Sequence, residues 1–245
     1  MTLPHPSEYL TQSVFEPSGV ATLFYPGAGT DFGPLFMVLD AMHSGRHWGP
    51  GCNEFGFLSA FYVDYAPDSL TSIKDFLTKK IPSEFDPHFG SIDNPIVTPF
   101  SPSDLGSLQR DFFLPESLCR PEEQEFFGLR CLYPRWRLSV TYIKGDALAT
   151  MKVMARRGIH PNIVVLQDHG YGLQWFRFSD PDSPLIKVAK PAPKYLYVGD
   201  NSSAWPGYDQ VSEYVVHPGQ GTSVSHSRAL FVKAKNRKAK SVKKT

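Results

Sequence analysis

Apolar positions along this chain recur with period two in some stretches and near 3.6 in others, and the changes of period divide it into elements. The run Val20 to Tyr25 has the length of a strand buried on both faces, and Pro26 and Gly27 end it. After a short turn, Asp31 is placed to cap a helix reaching Met42, whose first turn tolerates Pro34. The next stretch, HSGRHWGPGCNEFG, is a loop by composition. Phe57 to Tyr65, FLSAFYVDY, reads as a second strand with Asp64 near its end. Ser69 to Lys80 has Leu70, Ile73 and Leu77 at helical spacing and lysines in its last turn, as expected of an amphipathic helix lying on a sheet.

From Ile81 to Pro134 the periodicity fades and prolines recur at 82, 87, 95, 99, 102, 115, 121 and 134. This reads as a long irregular, proline-rich excursion over 81–134, with short strands or helices inside it such as PIVTPF and PEEQEFFGL. Segments of this kind are often lids or binding loops. The pattern then returns. Arg137 to Ile143 alternates as a strand. Asp146 is placed to cap ALATMKVMARRG, where Leu148, Met151 and Met154 or Ala155 form one apolar stripe, and Gly158 ends the helix. NIVVLQ follows as a buried strand, giving a strand, helix, strand unit expected to be a parallel, right-handed crossover. LQWFRF, Tyr195 to Val198 and Ala229 to Val232 read as further strands, with SSAWPGYDQV as a turn whose Trp205 and Tyr208 either stack on a ring or plug the end of the core. Residues 1–18 read as an irregular entry or an edge element.

These elements predict an α/β fold, a Rossmann-like three-layer sandwich with a mostly parallel central sheet and a long irregular insertion. The chain has 245 residues, enough for one α/β domain over 1–232. No apolar stretch has the length needed to span a bilayer and the N-terminus lacks a signal-peptide pattern, so a cytoplasmic protein with no membrane contact is expected. Cys52, Cys119 and Cys131 are widely spaced and form no CxxC pair, which favours reduced thiols over a disulfide framework or a zinc site. His43 and His47 are four apart, but the surrounding glycines argue against the helix that a shared metal would need; no metal is expected.

The formal net charge of +1 conceals an asymmetry. Residues 233–245, KAKNRKAKSVKKT, carry seven Lys or Arg and no acid, leaving 18 basic against 24 acidic residues in the rest of the chain. A basic tail of this composition either solubilises as a disordered end or makes weak phosphate contacts with nucleic acid. It has no aromatic residue to stack a base, so sequence-selective recognition is not expected.

Candidate chemistry collects where the predicted strands end. Gly27 and Gly29 let the backbone adopt positive φ or approach a ligand, and the helix behind Asp31 would turn its free N–H groups toward whatever sits over the turn. This is the geometry of a nucleotide cradle, and also that of a tight strand-to-helix turn. Asp64 ends the second strand, where cofactor sites hold a ribose, although it lies 37 residues after Gly27 and that arrangement usually wants about 20. Its other reading is the start of the turn APDS. Asp168 and His169 follow NIVVLQ in DHGYG, at a strand end where chemistry is expected. They can supply a base and an acid, although adjacent side chains on an extended segment point apart. Asp200 follows a later strand. Several predicted turns thus carry acids at one sheet edge.

LFYPGAGTD, followed later by FYVDY, resembles the cofactor-binding half of Rossmann-like proteins, in particular the class I S-adenosylmethionine-dependent methyltransferases, over roughly residues 20–65. The resemblance implies a nucleoside-containing small-molecule ligand such as S-adenosylmethionine at Gly27, Gly29, Asp31 and Asp64. Tyr25 and Pro26 stand where such enzymes usually place an acid before the first glycine, and no NPPY-like motif is present. The turn is not a dinucleotide fingerprint, since Gly33 follows Gly29 by four residues, and it has no P-loop lysine. No GxSxG, HExxH or kinase set occurs. Two functional classes follow: a nucleotide-binding, methyltransferase-like protein, or a non-catalytic accessory protein that meets nucleic acid or a protein partner through its tail and loop aromatics.

Overall fold

The run beginning at Val20 lies near the middle of a nine-stranded sheet and becomes fully enclosed one residue in. The computed structural model describes residues 20–43, 57–64, 70–92, 95–100, 128–166, 184–189, 191–199, 205–216 and 226–234. Its strands are β1 Val20–Pro26, β2 Phe57–Asp64, β3 Ile96–Phe100, β4 Gly128–Tyr133, β5 Leu138–Lys144, β6 Ile163–Leu166, β7 Tyr195–Gly199, β8 Tyr208–Val216 and β9 His226–Lys233. They join in the order β3-β4-β5-β2-β1-β6-β7-β9-β8. The helices are α1 Gly33–His43, α2 Leu70–Asp75, α3 Ile81–Phe89, α4 Ala147–Arg156 and α5 Pro184–Val188.

The five strands β5-β2-β1-β6-β7 run parallel, and the two strands on either side add antiparallel pairings. Four of the eight pairings are therefore antiparallel, which corrects the expectation of a mostly parallel sheet to a mixed one. The reason is that β4 and β9 return along the edges of the parallel centre. β5 and β6 point the same way, but β2 and β1 lie between them, so the crossover through α4 spans the sheet.

Alternate strand residues feed two apolar clusters. Leu23, Tyr25, Ala60 and Tyr62 pack with Leu35, Val38, Ile73 and Phe85 of α1, α2 and α3. Phe24, Phe61, Val63 and Val164 pack with Met151 and Met154 of α4 and Leu185 of α5. Side chains one apart on a strand point to opposite faces, so α1 to α3 cover one face and α4 and α5 the other.

α4 is bounded as its sequence predicts. The Asp146 side chain accepts a hydrogen bond from the Ala149 N–H at 2.6 Å. At the other end Gly158, at φ +72°, donates to the Ala155 carbonyl while Ile159 donates to Met154, a Schellman closure.

Part of the 81–134 excursion is regular. Residues 81–89 are α3, 96–100 are β3 and 128–133 are β4, while 101–127 lie outside the described residues. α2 continues through a π-helical turn, Phe76–Lys80, directly into α3. Pro82 lies in the first turn of α3, where a missing N–H costs least. In the wider turn, the Ile81 N–H reaches back to the Phe76 carbonyl. Pro82 has no N–H to give to Leu77 in the same way, and the Leu77 carbonyl instead accepts from the Tyr133 hydroxyl of β4.

The expected turn over 202–211 is also corrected, because its second half begins β8. Trp205 is buried with Leu185 and Phe231, and half-buried Tyr208 packs against the same cluster and donates its hydroxyl to the Pro193 carbonyl at 2.8 Å, so the pair plugs the core. Among the described residues no helix is long and apolar enough to cross a membrane. The expected strand LQWFRF and residues 235–245 of the basic tail lie outside the described residues.

Candidate functional site

The turn between β1 and α1 is built by its glycines and held by three side chains from elsewhere. Gly27 at φ +61° and Gly29 at φ +48° occupy the left-handed region, where a Cβ is costly. The Gly27 N–H donates to the Val63 carbonyl at 2.7 Å, carrying the β1–β2 ladder one step past the strand. The Asp31 N–H closes the turn on the Ala28 carbonyl. Asp31 then accepts twice through its carboxylate, from the Gly33 N–H at 2.9 Å and from the Tyr25 hydroxyl at 2.7 Å. The first bond satisfies a donor that α1 leaves open at its start. The second ties the turn to a fully buried strand residue.

Asp64 reaches the same turn from β2. Its Oδ2 accepts the Gly29 N–H at 2.9 Å, and its backbone carbonyl accepts the Gly145 N–H. Gly27, Gly29, Asp31 and Asp64 are thus brought together, and Asp64 clamps the loop. Lys80 supports the other side, its Nζ donating to the Thr30 carbonyl at 3.3 Å. A Cβ built on Gly29 would meet nothing within 4 Å, so the turn is open above this residue.

The donor set constrains what can sit there. The Gly33 N–H is engaged by Asp31, Pro34 has none, and two carboxylates flank the turn. A diphosphate would meet like charge and few backbone donors, whereas a ligand bearing hydroxyls or positive charge would meet acceptors. The sequence located the acids by position. It gave no sign that Lys80, 50 residues from Thr30, would join them, because a lysine in the last turn of a helix reads as a solvated end.

Asp168, His169 and Asp200 lie outside the described residues, as do His47 and its loop. Cys131 is buried beside Tyr133, and burial pushes its thiol up to about 11, which leaves it a poor nucleophile at neutral pH. The same cause holds the Tyr133 hydroxyl well above its ordinary range. Among the described residues no three His, Cys, Asp or Glu side chains are grouped to hold a metal. No protein-family model matches the chain, and no curated protein is significantly similar to it in sequence.

Proposed function

We propose that the protein binds a nucleoside-containing ligand at the Gly27–Asp31 turn, with S-adenosylmethionine or its product S-adenosylhomocysteine as the leading candidates, on a Rossmann-like three-layer α/β/α framework. The observation that carries the reading is the reversal of strand order beside β1. From β1 the chain builds outward to β2 and β5, then returns to β6 and β7 on the other side. Open α/β sheets bind ligands outside the carboxyl ends of strands at such a switch point, and the glycine turn follows the carboxyl end of β1.

Two features narrow the ligand. The dinucleotide-binding order continues with a sixth strand beyond the fifth parallel one, whereas here antiparallel β9 flanks β7. This favours one nucleoside over two. The carboxylates of Asp31 and Asp64 favour ribose hydroxyls and a cationic centre over a phosphate chain, in agreement with the resemblance of LFYPGAGTD and FYVDY to the methyltransferases.

The test is a thermal-shift titration of the whole chain with S-adenosylmethionine, S-adenosylhomocysteine, NAD and ATP. A ligand at one hundred times its Kd adds about 2.7 kcal/mol, or about 5–10 °C for a chain of this size. The expected result is a rise with the two S-adenosyl compounds that Gly29→Val abolishes. No rise with any nucleoside would overturn the reading.

A further inference from the structure

A shallow, open groove of about 540 Å³ lies beside the glycine turn, and its walls come from α2, the π-helical turn and α3. Thr30 forms the wall shared with the turn, while Ser72, Asp75, Phe76, Lys79 and Lys80 form much of the rest. We propose that this groove is a binding site for the oxyanion, phosphate or carboxylate, of a small molecule, with Lys80 as its anchor. The groove's own residues carry the proposal, which does not rest on the nucleoside reading.

The two lysines on the groove differ in what neutralises them. Lys79 is paired with Asp75 at 3.0 Å across one helical turn. Lys80 has no carboxylate partner among the described residues. Its Nζ lies 5.6 Å from the centre of the Phe32 ring and 5.9 Å from that of Phe76, and it donates to the Thr30 carbonyl. Two aromatic faces and a carbonyl fix the position of an ammonium without cancelling its charge. An ammonium carries three donors, and the Thr30 bond uses one.

The backbone supplies a second, independent observation. The Phe76–Lys80 segment is π-helical, a rare conformation concentrated at functional sites. It ends on Lys80. The break is sustained by a polar contact from the sheet, the Tyr133 hydroxyl of β4 on the Leu77 carbonyl. Phe76 is buried beneath the groove, at 2 % exposure, so the surface a ligand meets is chiefly that of the exposed Ser72, Lys79, Lys80 and Ser83.

Calorimetric titration of the full chain with pyrophosphate, with citrate and with adenosine tests the proposal. Pyrophosphate or citrate should bind, and Lys80→Gln should weaken that binding about tenfold or more, as expected for a charge-assisted contact. Lys80→Arg should keep most of it. Lys74→Gln makes the same change in net charge outside the groove and should leave binding unchanged. Preference for pyrophosphate assigns a phosphate, and preference for citrate assigns a carboxylate. Equal weakening by Lys74→Gln and Lys80→Gln, or no binding of either anion to the wild type, would overturn the site. Adenosine separates the two proposals: anion binding without adenosine binding keeps the groove and removes the nucleoside reading, and the converse removes the groove alone. Circular dichroism of Lys80→Gln, an exposed position, verifies that its fold is intact.

Discussion

Replacing Asp64 by alanine removes the acceptor of the Gly29 N–H, a charge-assisted bond of 2.9 Å in a half-buried turn. Hydrogen bonds to charged groups contribute about 1.5–3 kcal/mol. Solvent can reach this turn and replace part of the loss, so Asp64→Ala should destabilise the protein by about 1–2 kcal/mol. For a chain of this length that is a fall of about 2–8 °C in Tm. Asp64→Asn is the more informative partner. Its amide oxygen can still accept from Gly29, so stability should recover to within about 1 kcal/mol of the wild type. Its NH2 group replaces a carboxylate oxygen, which can accept from a ribose hydroxyl, with a donor, which cannot. Affinity for S-adenosylhomocysteine should fall about tenfold or more while the fold is kept. Thermal and urea unfolding followed by circular dichroism read the first quantity, and calorimetry with S-adenosylhomocysteine reads the second. If Asp64→Ala unfolds within about 1 °C of the wild type, the clamp is not holding the turn. If Asp64→Asn binds the ligand as tightly as the wild type does, Asp64 serves the loop alone.

Other parts of the fold give sharper stability tests. Tyr133→Phe leaves the Leu77 carbonyl with only the long, weak contact from the Cys131 thiol at 4.0 Å and should cost about 1–3 kcal/mol in urea unfolding. Asp146→Ala removes the N-cap of α4 and should cost about 1 kcal/mol by the same assay. Gly128→Ala would set a Cβ 2.4 Å from the Tyr142 carbonyl oxygen; the strand must shift, and a loss of about 2–4 kcal/mol is expected. The Cys131 thiol, at about 11 against an ordinary 9.0, stays protonated in the folded chain where the unfolded chain has lost its proton. Stability should therefore fall as pH rises from about 9 to 11, by about 1–3 kcal/mol from this thiol, and Cys131→Ala should make that slope shallower in pH-dependent unfolding, leaving the part due to the raised Tyr133 and Tyr208 hydroxyls.

The elements that were legible are those whose local pattern agrees with their final surroundings. β1 is enclosed after its first residue, and its apolar run says so; Asp146 and Gly158 bound α4 because capping depends on residues three or four apart. α3 escaped notice because Pro82 and Pro87 disguise it. The structure accommodates the first by placing it in an opening turn and by supplying Tyr133 from another strand to the carbonyl left over. No local window contains that compensation. β8 was hidden for a related reason, since SSAWPGYDQV has turn chemistry in its first half and strand only in its second. The order of strands depends on pairings more distant still. Leu23 meets Ile163 and Tyr195 meets Val232, and neither pairing leaves a periodic trace. At the site, the strand-end rule found Asp64, but its contact is with Gly29, 35 residues away.

The contacts around the turn also bear on how a ligand would be received. Asp64 holds the Gly29 N–H, Asp31 joins Tyr25 to the start of α1, and Lys80 holds the Thr30 carbonyl. Successive residues of one short loop are thus fixed from β2, from β1 and from the helical layer. A loop held this way has little conformational entropy left to lose on binding, which raises affinity without adding a contact. The same residues also separate charge. Asp31 and Asp64 bring two carboxylates to the turn, and the neighbouring groove carries the ammonium of Lys80, which among the described residues has no carboxylate partner. A molecule with hydroxyls or a positive centre at one end and an acidic group at the other would complement both, whereas a ligand of one sign would be attracted at one end and repelled at the other. Linking the two groups in one molecule would convert the second contact into an intramolecular one. Such a ligand should bind more tightly than adenosine and pyrophosphate, titrated separately, would suggest.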